Sequence, residues 1–468
     1  MNIFNNKRVL LVGLGRLGGG VAIARFLAQK GAFLTVSDAL SEKILRASIK
    51  KLKKYHILYE LETAVPQNIA SYDMVVCNQA VSIHSEVVKQ AKKFNIPFFN
   101  DFTLLLALLK TQSHQPYIGI TGTRGKTTTT IWISHLMGKN TIVGGNMPSK
   151  GSLSVFEKIT KQPSSHIVLE LSSFQLEYVQ KGTEAPHISI ITNLYQDHLN
   201  RHKTIKEYIR CKANIFLNQK KNDTLILNAD DFCVKQFLAY KPKAHIWLVS
   251  RKKLPVGAVG MYEQRGILIF QEKNRTQEII EVPIQYGTHE IYNLMQAMCA
   301  AYRQGVLWNT IVGRVATLPT IPFRQQVIIK NKNYTVINDS AATSPEGTSA
   351  AIEKFFLINK NTVLLCGGTD KQLNFTSLAR VIQKYIEPRN LFLLNGSGTK
   401  KLIAALAKEK YRTRNQVYEN LEDIARAVQK GTKRGVILFS PACASFEKFK
   451  NEFDRGRCFN KIARTYFV

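Results

Sequence analysis

The chain has 468 residues, and its 65 Lys and Arg outnumber 33 Asp and Glu, which gives a formal net charge of +32. An apolar fraction of 45% excludes a generally disordered chain, and the length predicts several domains with full cores. No apolar run approaches the ~18 residues of a membrane span, and we expect no secretory leader before the first strand. The seven cysteines form no CxxC pair, which fits reduced thiols.

The high positive charge is compatible with nucleic acid, an anionic membrane surface or acidic ligands. A nucleic-acid-binding protein usually concentrates its basic residues on one face or tail. Here the excess is spread along the chain, and no aromatic nucleic-acid motif accompanies it. We therefore favour compositional bias as the source of the charge and predict no nucleic-acid partner.

The first hundred residues alternate strands with helices. Strands are predicted at Arg8–Val12, Phe33–Ser37, Met74–Cys77 and Pro97–Phe99, with a helix at Ser85–Phe94. Short links between strands and helices predict a doubly wound parallel sheet.

Two breaks divide the rest of the chain. The polar stretch Lys110–Pro116 and the proline pair in Leu318–Pro322 are predicted linkers. Between them, strands are predicted at His166–Leu169, Ser189–Asn193 and Leu225–Asn228, followed by a small antiparallel excursion near Leu254–Pro283. After the second linker, a third α/β segment is predicted from strands at Val336–Ile337, Val363–Cys366, Leu391–Leu394 and Val436–Phe439.

A glycine loop follows the first strand. Gly13, Gly15 and Gly18 have the GxGxxG spacing, and Asp38 ends the next strand. This is the pattern of a dinucleotide fold, in which backbone amides approach a diphosphate and the acid accepts from a ribose hydroxyl. A tight turn without a ligand is the alternative, and a nicotinamide dehydrogenase is a further one.

A second loop, Thr121–Thr128, carries the sequence Thr-Gly-Thr-Arg-Gly-Lys-Thr-Thr between a strand and a helix. Its amides can form an anion nest, Lys126 can pair with nucleotide phosphates, and the Thr127 hydroxyl can ligate Mg²⁺. The loop is shorter than the standard GxxxxGK[ST] form, because Ile120 stands where the first glycine belongs.

Acidic and histidine side chains follow two strands of the same segment. Glu170 comes directly after one apolar strand, and Asp197-His198 follow another. Ligands of parallel sheets gather at the carboxyl ends of strands, so we expect Glu170 and His198 near the phosphate loop.

Six stretches occur in a characteristic order: Thr121–Thr128, Gly144–Asn146, Glu170–Glu177, Asp197-His198, Asn338–Ser340 and Ser440–Ser445. Together they resemble the Mur ligase family over essentially the whole chain, and two of them resemble its glutamate-adding branch. The resemblance implies an α/β fold of three domains. These are a Rossmann-like UDP-sugar domain at 1–110, a central P-loop ATPase domain at 111–318, and a C-terminal Rossmann-like α/β domain at 319–468 that binds glutamate and closes on ATP.

The resemblance implies an ATP-dependent acid–amino-acid ligase. It would add glutamate to UDP-N-acetylmuramoyl-L-alanine through an acyl phosphate, in cytoplasmic peptidoglycan precursor synthesis. D-glutamate is the expected acceptor, and the alternatives are an L-glutamate-adding subtype or a folylpolyglutamate-type ligase. The implied partners are small molecules, with no membrane insertion and a monomeric chain.

The resemblance also assigns residues. Lys126, Lys212 and His198 are the implied catalytic residues, and Thr127, Glu170, His198 and a carbamylated Lys212 would hold two Mg²⁺ ions. Carbamylation needs the neutral amine, a form that burial favours. The implied ATP contacts are Gly122, Thr123, Gly125, Lys126, Thr127, Thr128, Asn146, Asn293, Arg324 and Asp339. The implied UDP-sugar contacts are Gly13, Gly15, Arg16, Leu17 and Asp38, and the implied glutamate contacts are Thr343, Lys371 and Ser445.

Four departures from the family pattern bear on the acceptor and the sugar. Ala341 replaces a lysine, Glu290 an asparagine, and Glu452 an aromatic residue. The stretch Cys77–Ser82 replaces a Ser-Pro-Gly turn against the UDP sugar. These departures leave the reaction class unchanged but leave the choice between D- and L-glutamate open.

Overall fold

The computed structural model describes residues 3–63, 65–111, 116–147, 150–283, 286–414 and 416–468. Three sheets, each flanked by helices, follow one another along the chain. The predicted linker at Lys110–Pro116 falls partly on residues 112–115, which lie outside the described residues. No helix in the described ranges is long and apolar enough to cross a membrane.

The first sheet is fully parallel, with strand order β3-β2-β1-β4-β5. Its strands are β1 Arg8–Val12, β2 Phe33–Asp38, β3 Ile57–Leu61, β4 Met74–Cys77 and β5 Phe98–Asn100. Its helices are α1 Gly19–Gln29, α2 Glu42–Lys50, α3 Glu86–Lys93 and α4 Asp101–Lys110. The strand order reverses between β1 and β4, and such a switch point opens a crevice at the carboxyl ends of the strands.

The second sheet has nine strands in the order β14-β13-β12-β11-β10-β9-β6-β8-β7. They are β6 Tyr117–Thr121, β7 Thr141–Gly145, β8 His166–Glu170, β9 Ile188–Ile191, β10 Thr224–Asn228, β11 His245–Ser250, β12 Val259–Gln264, β13 Ile267–Glu272 and β14 Arg275–Glu281. Strand β13 pairs antiparallel with both β12 and β14, which confirms the predicted excursion.

The helices that accompany this sheet are α5 Lys126–Met137, α6 Ser152–Lys161, α7 Ser173–Leu176, α8 Leu199–His202, α9 Ile205–Ala213, α10 Val234–Leu238, α11 Thr288–Arg303 and α12 Trp308–Val315. Strand β6 lies between β8 and β9, and parallel strands of this kind deliver the segments that follow them to one edge of the sheet.

The third sheet has the order β15-β16-β20-β17-β18-β19, parallel except for the β15–β16 pair. Its strands are β15 Gln326–Lys330, β16 Tyr334–Asn338, β17 Thr362–Cys366, β18 Leu391–Leu394, β19 Val417-Tyr418 and β20 Gly435–Phe439. Its helices are α13 Pro345–Ile358, α14 Thr376–Tyr385, α15 Ser397–Lys408, α16 Leu421–Gly431 and α17 Glu452–Tyr466.

Contacts between Cα atoms divide the chain into two compact units. The first comprises Met1–Tyr195, Leu199–Glu281 and Tyr292–Leu318, and the second comprises Gln196–His198, Val282–Ile291 and Pro319–Val468. Continuous apolar strands, buried on both faces, form the cores of both units, as expected for parallel sheets covered by helices. The predicted α/β class with three sheet domains is confirmed, and the exact domain limits stay a prediction.

Candidate active site

The loop between β6 and α5 requires glycine at two positions. Gly122 and Gly125 have φ angles of 147° and 80°. A Cβ atom on Gly122 would lie 1.8 Å from Thr192 Oγ1, and one on Gly125 would lie 2.3 Å from Asn293 Oδ1. These close approaches hold the loop tightly at the N-terminus of α5, where backbone amides favour an anion. Asn293 lies against this loop, which is compatible with its predicted role in nucleotide binding.

The side chains of the phosphate loop are held by short polar contacts. Lys126 Nζ donates to the carbonyl oxygens of Gly122 and Thr123, both at 3.0 Å. Thr123 Oγ1 accepts from the amide of Tyr195 at 3.0 Å. Thr128 lies half-buried in the first turn of α5. The ammonium group of Lys126 is thus kept at the loop that is expected to receive the phosphates.

Two oxygen ligands for a hard cation meet beside the loop. Thr127 Oγ1 donates to Glu170 Oε2 at 2.7 Å, and Glu170 is only 4% exposed. The amide of Asn146 donates to the Glu170 carbonyl at 2.7 Å, and Asn146 itself is exposed. Carboxylate and hydroxyl oxygens are the ligands that Mg²⁺ prefers, so Thr127 and Glu170 fit a magnesium ion bound to nucleotide phosphates.

Lys212 lies on α9, and its side chain reaches the same loop. It is 1% exposed, and its Nζ donates to the Gly122 carbonyl at 2.8 Å and to Thr121 Oγ1 at 3.4 Å. The Nζ atom also lies 4.6 Å from the centre of the Tyr208 ring. Lys212 is therefore no solvated surface lysine, and its Nζ lies at the phosphate loop.

His198 and Asp197 belong to the second compact unit. The His198 amide donates to Asp197 Oδ1 at 2.9 Å, and its Nε2 lies 3.7 Å from Asp197 Oδ2. His198 has a φ angle of 54° and a side chain that is 40% exposed. Within its unit the imidazole lies beside a buried carboxylate, an arrangement common for metal-binding histidines.

The two predicted nucleotide contacts of the second unit lie close together. Asp339 follows β16 and is 5% exposed, with its oxygens accepting from Ser440 Oγ at 2.7 Å and from the Gln325 amide at 3.0 Å. Burial raises the pKa of Asp339 to about 7, although these two hydrogen bonds and the charge of nearby Arg324 oppose the rise. The carboxyl group is therefore close to its titration point near neutral pH.

Two of the three predicted glutamate contacts touch each other. Lys371 Nζ donates to Thr343 Oγ1 at 3.3 Å. Ser445 is 3% exposed, and its hydroxyl has no hydrogen-bond partner among the described residues. An ammonium with a neighbouring hydroxyl suits a carboxylate ligand, and an unpartnered buried hydroxyl has hydrogen-bonding capacity left for one.

Arg455 was not predicted from the sequence, yet it organises this part of the second unit. It is 0% exposed and donates to the Ser340 carbonyl at 2.8 Å and to the carbonyls of Cys443 and Ala444, both at 3.0 Å. Burial lowers its pKa to about 10. Arg455 thereby joins the segments that follow β16 and β20. Nothing in the local sequence distinguishes it among so many basic residues.

The glycine loop after β1 is held from two sides. Asp38 is 7% exposed, and its two oxygens accept from the amides of Gly15 and Leu40, both at 2.9 Å. Asn78, which the sequence did not single out, donates from Nδ2 to the Gly13 carbonyl at 3.0 Å. Asp38 therefore shapes the loop itself, and Asn78 lines it from the other side of the switch point.

The remaining predicted residues of this loop face solvent. Arg16 is exposed, and Leu17 is 80% exposed although it is a large apolar side chain. Their positions leave both side chains accessible to a ligand at the glycine loop.

A cluster of Glu177, His202 and Cys211 draws one residue, Cys211, from the helix α9 that carries Lys212. The ligand atoms of Glu177, His202 and Cys211 lie within 4.8 Å of one another. Both Glu177 oxygens already accept from Arg201, at 2.9 and 2.8 Å, and burial raises the pKa of Cys211 to about 11. A metal ion here would meet the Arg201 charge and a protonated thiol, so the cluster does not suit one.

The residues that depart from the family pattern are buried or have polar contacts. Glu290 Oε2 lies 2.6 Å from Lys354 Nζ, so its charge is paired. Ala341 is 8% exposed, and the Glu452 carbonyl accepts from Ser340 Oγ at 2.7 Å. The Cys77 side chain is buried in the first sheet.

Comparisons with known proteins identify the family of the chain. Residues 120–301 match the model of the Mur ligase middle domain. The UDP-N-acetylmuramoylalanine–D-glutamate ligase of Roseiflexus sp. (strain RS-1) is 32% identical, and the alignment covers 98% of this chain and 99% of that protein. A similar ligase of Clostridioides difficile (strain 630) is 32% identical over 97% of both chains.

A solved structure, the UDP-N-acetylmuramate–alanine ligase of Thermotoga maritima, shares the fold with a TM-score of 0.59 at 18% identity, covering 98% of this chain and 100% of that one. The sequence matches confirm the predicted enzyme class, an ATP-dependent ligase that forms amide bonds. With relatives above 30% identity along nearly its whole length, the chain belongs to the Mur ligase family.

Proposed function

We propose that this enzyme joins D-glutamate to UDP-N-acetylmuramoyl-L-alanine at the expense of ATP, in peptidoglycan precursor synthesis. The observation that carries the proposal is the convergence of Thr127, Glu170 and Lys212 on one phosphate loop. The relatives whose names specify this reaction match the chain from end to end.

The reaction has two chemical steps. The terminal carboxylate of the alanyl substrate attacks the γ-phosphorus of ATP, which releases ADP and forms an acyl phosphate. The amine of glutamate then attacks the acyl carbon, an amide bond forms, and phosphate leaves. The first step brings two anions together, so positioning and charge neutralisation supply most of the catalysis.

The phosphate loop contributes its amides, the N-terminus of α5 and the Lys126 ammonium. Lys126 donates to loop carbonyls at 3.0 Å. Exchanging these carbonyls for phosphate oxygens, which are stronger acceptors, turns the ammonium toward the developing charge. The residues that complete the cradle through the backbone or the first turn of the helix are Gly122, Thr123, Gly125 and Thr128.

Thr127 and Glu170 would hold Mg²⁺, because their oxygen atoms lie 2.7 Å apart beside the loop. Mg²⁺ bound there supplies neutralisation of the phosphate charge. We assign a second metal-binding role to His198, whose imidazole lies beside the Asp197 carboxylate.

Lys212 is proposed to act as a carbamate. Its amine is buried against Gly122 and the Tyr208 ring, so carbamylation would place a carboxylate directly at the phosphate loop. A carboxylate there would ligate the second metal ion, in place of a cation that opposes it.

The other substrate contacts are assigned by position in each unit. We assign ATP contacts to Asn146 and Asn293, and also to Arg324 and Asp339. The residues that would bind the glutamate carboxylates are Thr343, Lys371 and Ser445. Those that would bind the UDP moiety at the switch point of the first sheet are Gly13, Gly15, Arg16, Leu17 and Asp38. Accordingly, we assign UDP-sugar binding to residues 1–110, ATP binding to 111–318 and glutamate binding to 319–468.

We further propose that the enzyme works in the cytoplasm as a monomer. All seven cysteines are free thiols, as is usual in a reducing compartment. Each proposed substrate is a small molecule.

The test is phosphate release from ATP with UDP-N-acetylmuramoyl-L-alanine, with D-glutamate and L-glutamate supplied in separate reactions. We expect release with D-glutamate only, and none from the Lys126→Ala variant, which controls for contaminating ATPases. Phosphate release with L-glutamate alone would show that the acceptor is L-glutamate and not D-glutamate. No stimulation by either isomer would contradict the proposed function.

A further inference from the structure

The side chains of Glu177 and Phe174 hold the guanidinium group of Arg201 in a single orientation. Its Nε and one terminal nitrogen donate to the two oxygens of Glu177 at 2.9 and 2.8 Å. The guanidinium carbon lies 5.1 Å from the centre of the Phe174 ring. The side chains of Arg201 and Glu177 are 15% and 5% exposed. A stacked, bidentate guanidinium of this kind has little freedom to rotate.

The terminal nitrogens of the same guanidinium also bind a loop of the first sheet. Arg201 donates to the carbonyl oxygens of Ala80 at 2.7 Å and Val81 at 2.8 Å. The hydroxyl of Tyr178 donates to the same Val81 carbonyl at 3.0 Å. Residues 78–82, which follow β4, are therefore fastened through their backbone by a side chain of α8.

This fastened loop lies directly against the glycine loop. The Val81 amide donates to the Asn78 carbonyl at 2.9 Å, and Asn78 Nδ2 donates to the Gly13 carbonyl at 3.0 Å. A Cβ atom on Gly13 would lie 3.1 Å from Asn78 Cβ and 3.3 Å from Val81 Cγ2. Because Val81 packs directly against Gly13, a shift of Val81 would displace the glycine loop.

The loop also touches the segment that carries the proposed metal ligand. Ser172 Oγ donates to Gln79 Oε1 at 3.3 Å. Ser172 caps α7 two residues after Glu170. One short loop therefore contacts both the glycine loop of the proposed nucleotide-sugar site and the segment that follows Glu170.

We infer that Arg201 is a positioning residue for the nucleotide-sugar substrate. It fixes loop 78–82 and, through Asn78 and Val81, the glycine loop that binds the UDP moiety. The inference rests on the proposed function for the identity of that ligand. Arg201 acts through the glycine loop, because its contacts preorganise that loop, and its effect appears in the affinity for the nucleotide-sugar substrate rather than in the affinity for ATP.

The experiment compares Arg201→Lys with Arg303→Lys in the full-length enzyme. Lysine keeps the charge but cannot serve two carboxylate oxygens and two carbonyls at once. Arg303 is a matched control, because it also bridges a side chain and a carbonyl of the first unit. It donates to Thr224 Oγ1 at 2.8 Å and to the Asn222 carbonyl at 3.0 Å, at the amino end of β10.

For Arg201→Lys we expect the KM for UDP-N-acetylmuramoyl-L-alanine to rise about tenfold, with the KM for ATP changed less than about twofold, which corresponds to loss of one or two hydrogen bonds. Arg303→Lys should lower the melting temperature without changing the KM for the nucleotide sugar more than the KM for ATP. Added guanidinium should partly restore the substrate affinity of Arg201→Ala. Equal changes in both KM values, or no change in either, would overturn the inference.

Hydrogen exchange of the peptide spanning residues 74–84 provides a readout that needs no turnover. Exchange in this peptide should accelerate in Arg201→Lys and not in Arg303→Lys. Unchanged exchange would overturn the positioning role even in an active enzyme. If the wild-type enzyme does not use the nucleotide-sugar substrate, the proposed function fails, while the exchange measurement still decides whether Arg201 holds the loop.

Discussion

The hydroxyl of Thr127 donates to the carboxylate of Glu170 over 2.7 Å. The two residues are far apart in sequence, but Glu170 ends β8 and Thr127 lies in the first turn of α5, after the adjacent parallel strand β6, so the sheet brings them together. Their oxygens are the pair that we assign to Mg²⁺ beside the phosphate loop.

Glu170→Gln should therefore raise the Mg²⁺ concentration needed for half-maximal activity by about 10–100-fold, because a neutral amide is a weaker ligand than a carboxylate. The measurement is a Mg²⁺ titration of phosphate release at saturating substrates. Glu157→Gln, at an exposed position of α6, is the matched control and should not change the titration. An unchanged requirement in Glu170→Gln would remove Glu170 from the metal site.

Lys212→Ala should lose activity, because it removes the amine that we propose to be carbamylated. Short-chain carboxylates should partly restore the activity by occupying the vacated space beside Gly122. The control is Lys206→Ala at an exposed position of α9. Full activity of Lys212→Ala without added carboxylate would contradict the carbamate role.

The raised pKa of Asp339 predicts that the stability of the folded protein depends on pH. Its pKa is raised from 3.8 to about 7 by burial. The folded protein therefore keeps the proton up to about pH 7, whereas the unfolded chain releases it near pH 4. Stability falls as the pH rises through this window, by roughly 4 kcal/mol at most, and the contribution of Asp339 is constant above it.

Asp339→Asn removes that titration, so its melting temperature relative to the wild type should be higher at pH 8 than at pH 4.5. An asparagine can still accept from the Gln325 amide and donate to Ser440 Oγ. Glu353→Gln, at an exposed position of α13, is the control. A difference between Asp339→Asn and wild type that does not vary with pH would contradict the raised pKa. We expect reduced activity in Asp339→Asn because Asp339 is a proposed ATP contact.

Glu290 replaces an asparagine of the family pattern, and Lys354 compensates for its charge. The pair is 2.6 Å apart with side chains 18% and 13% exposed, and Glu290 Oε2 also accepts from the Gly287 amide at 2.8 Å. Glu290→Gln or Lys354→Met alone should destabilise the second unit by about 1–3 kcal/mol, because each leaves its partner's charge unpaired. The double variant should recover part of that loss in a denaturation experiment. Strict additivity of the two single changes would show that the charges are not coupled.

Residues at the ends of strands were easier to predict from the sequence than residues whose side chains donate hydrogen bonds to backbone carbonyl oxygens. Glu170 and Lys126 could be proposed from the sequence because parallel strands deliver their carboxyl ends to one edge, and the glycines mark the loop between strand and helix. Arg201, Arg455 and Asn78 were missed because each recognises backbone carbonyls, which leave no pattern in the sequence. Strands such as Ile57–Leu61 and Gln326–Lys330 were missed because they lie at sheet edges and are only partly buried.

The most direct test of the central claim uses UDP-N-acetylmuramoyl-L-alanine labelled with ¹⁸O at both oxygens of its terminal carboxylate, together with ATP and D-glutamate. Attack of that carboxylate on the γ-phosphorus predicts that each released phosphate carries one ¹⁸O and that the new amide product forms in equal amount. Phosphate without the label, or phosphate release without the glutamyl product, would contradict the proposed ligase reaction.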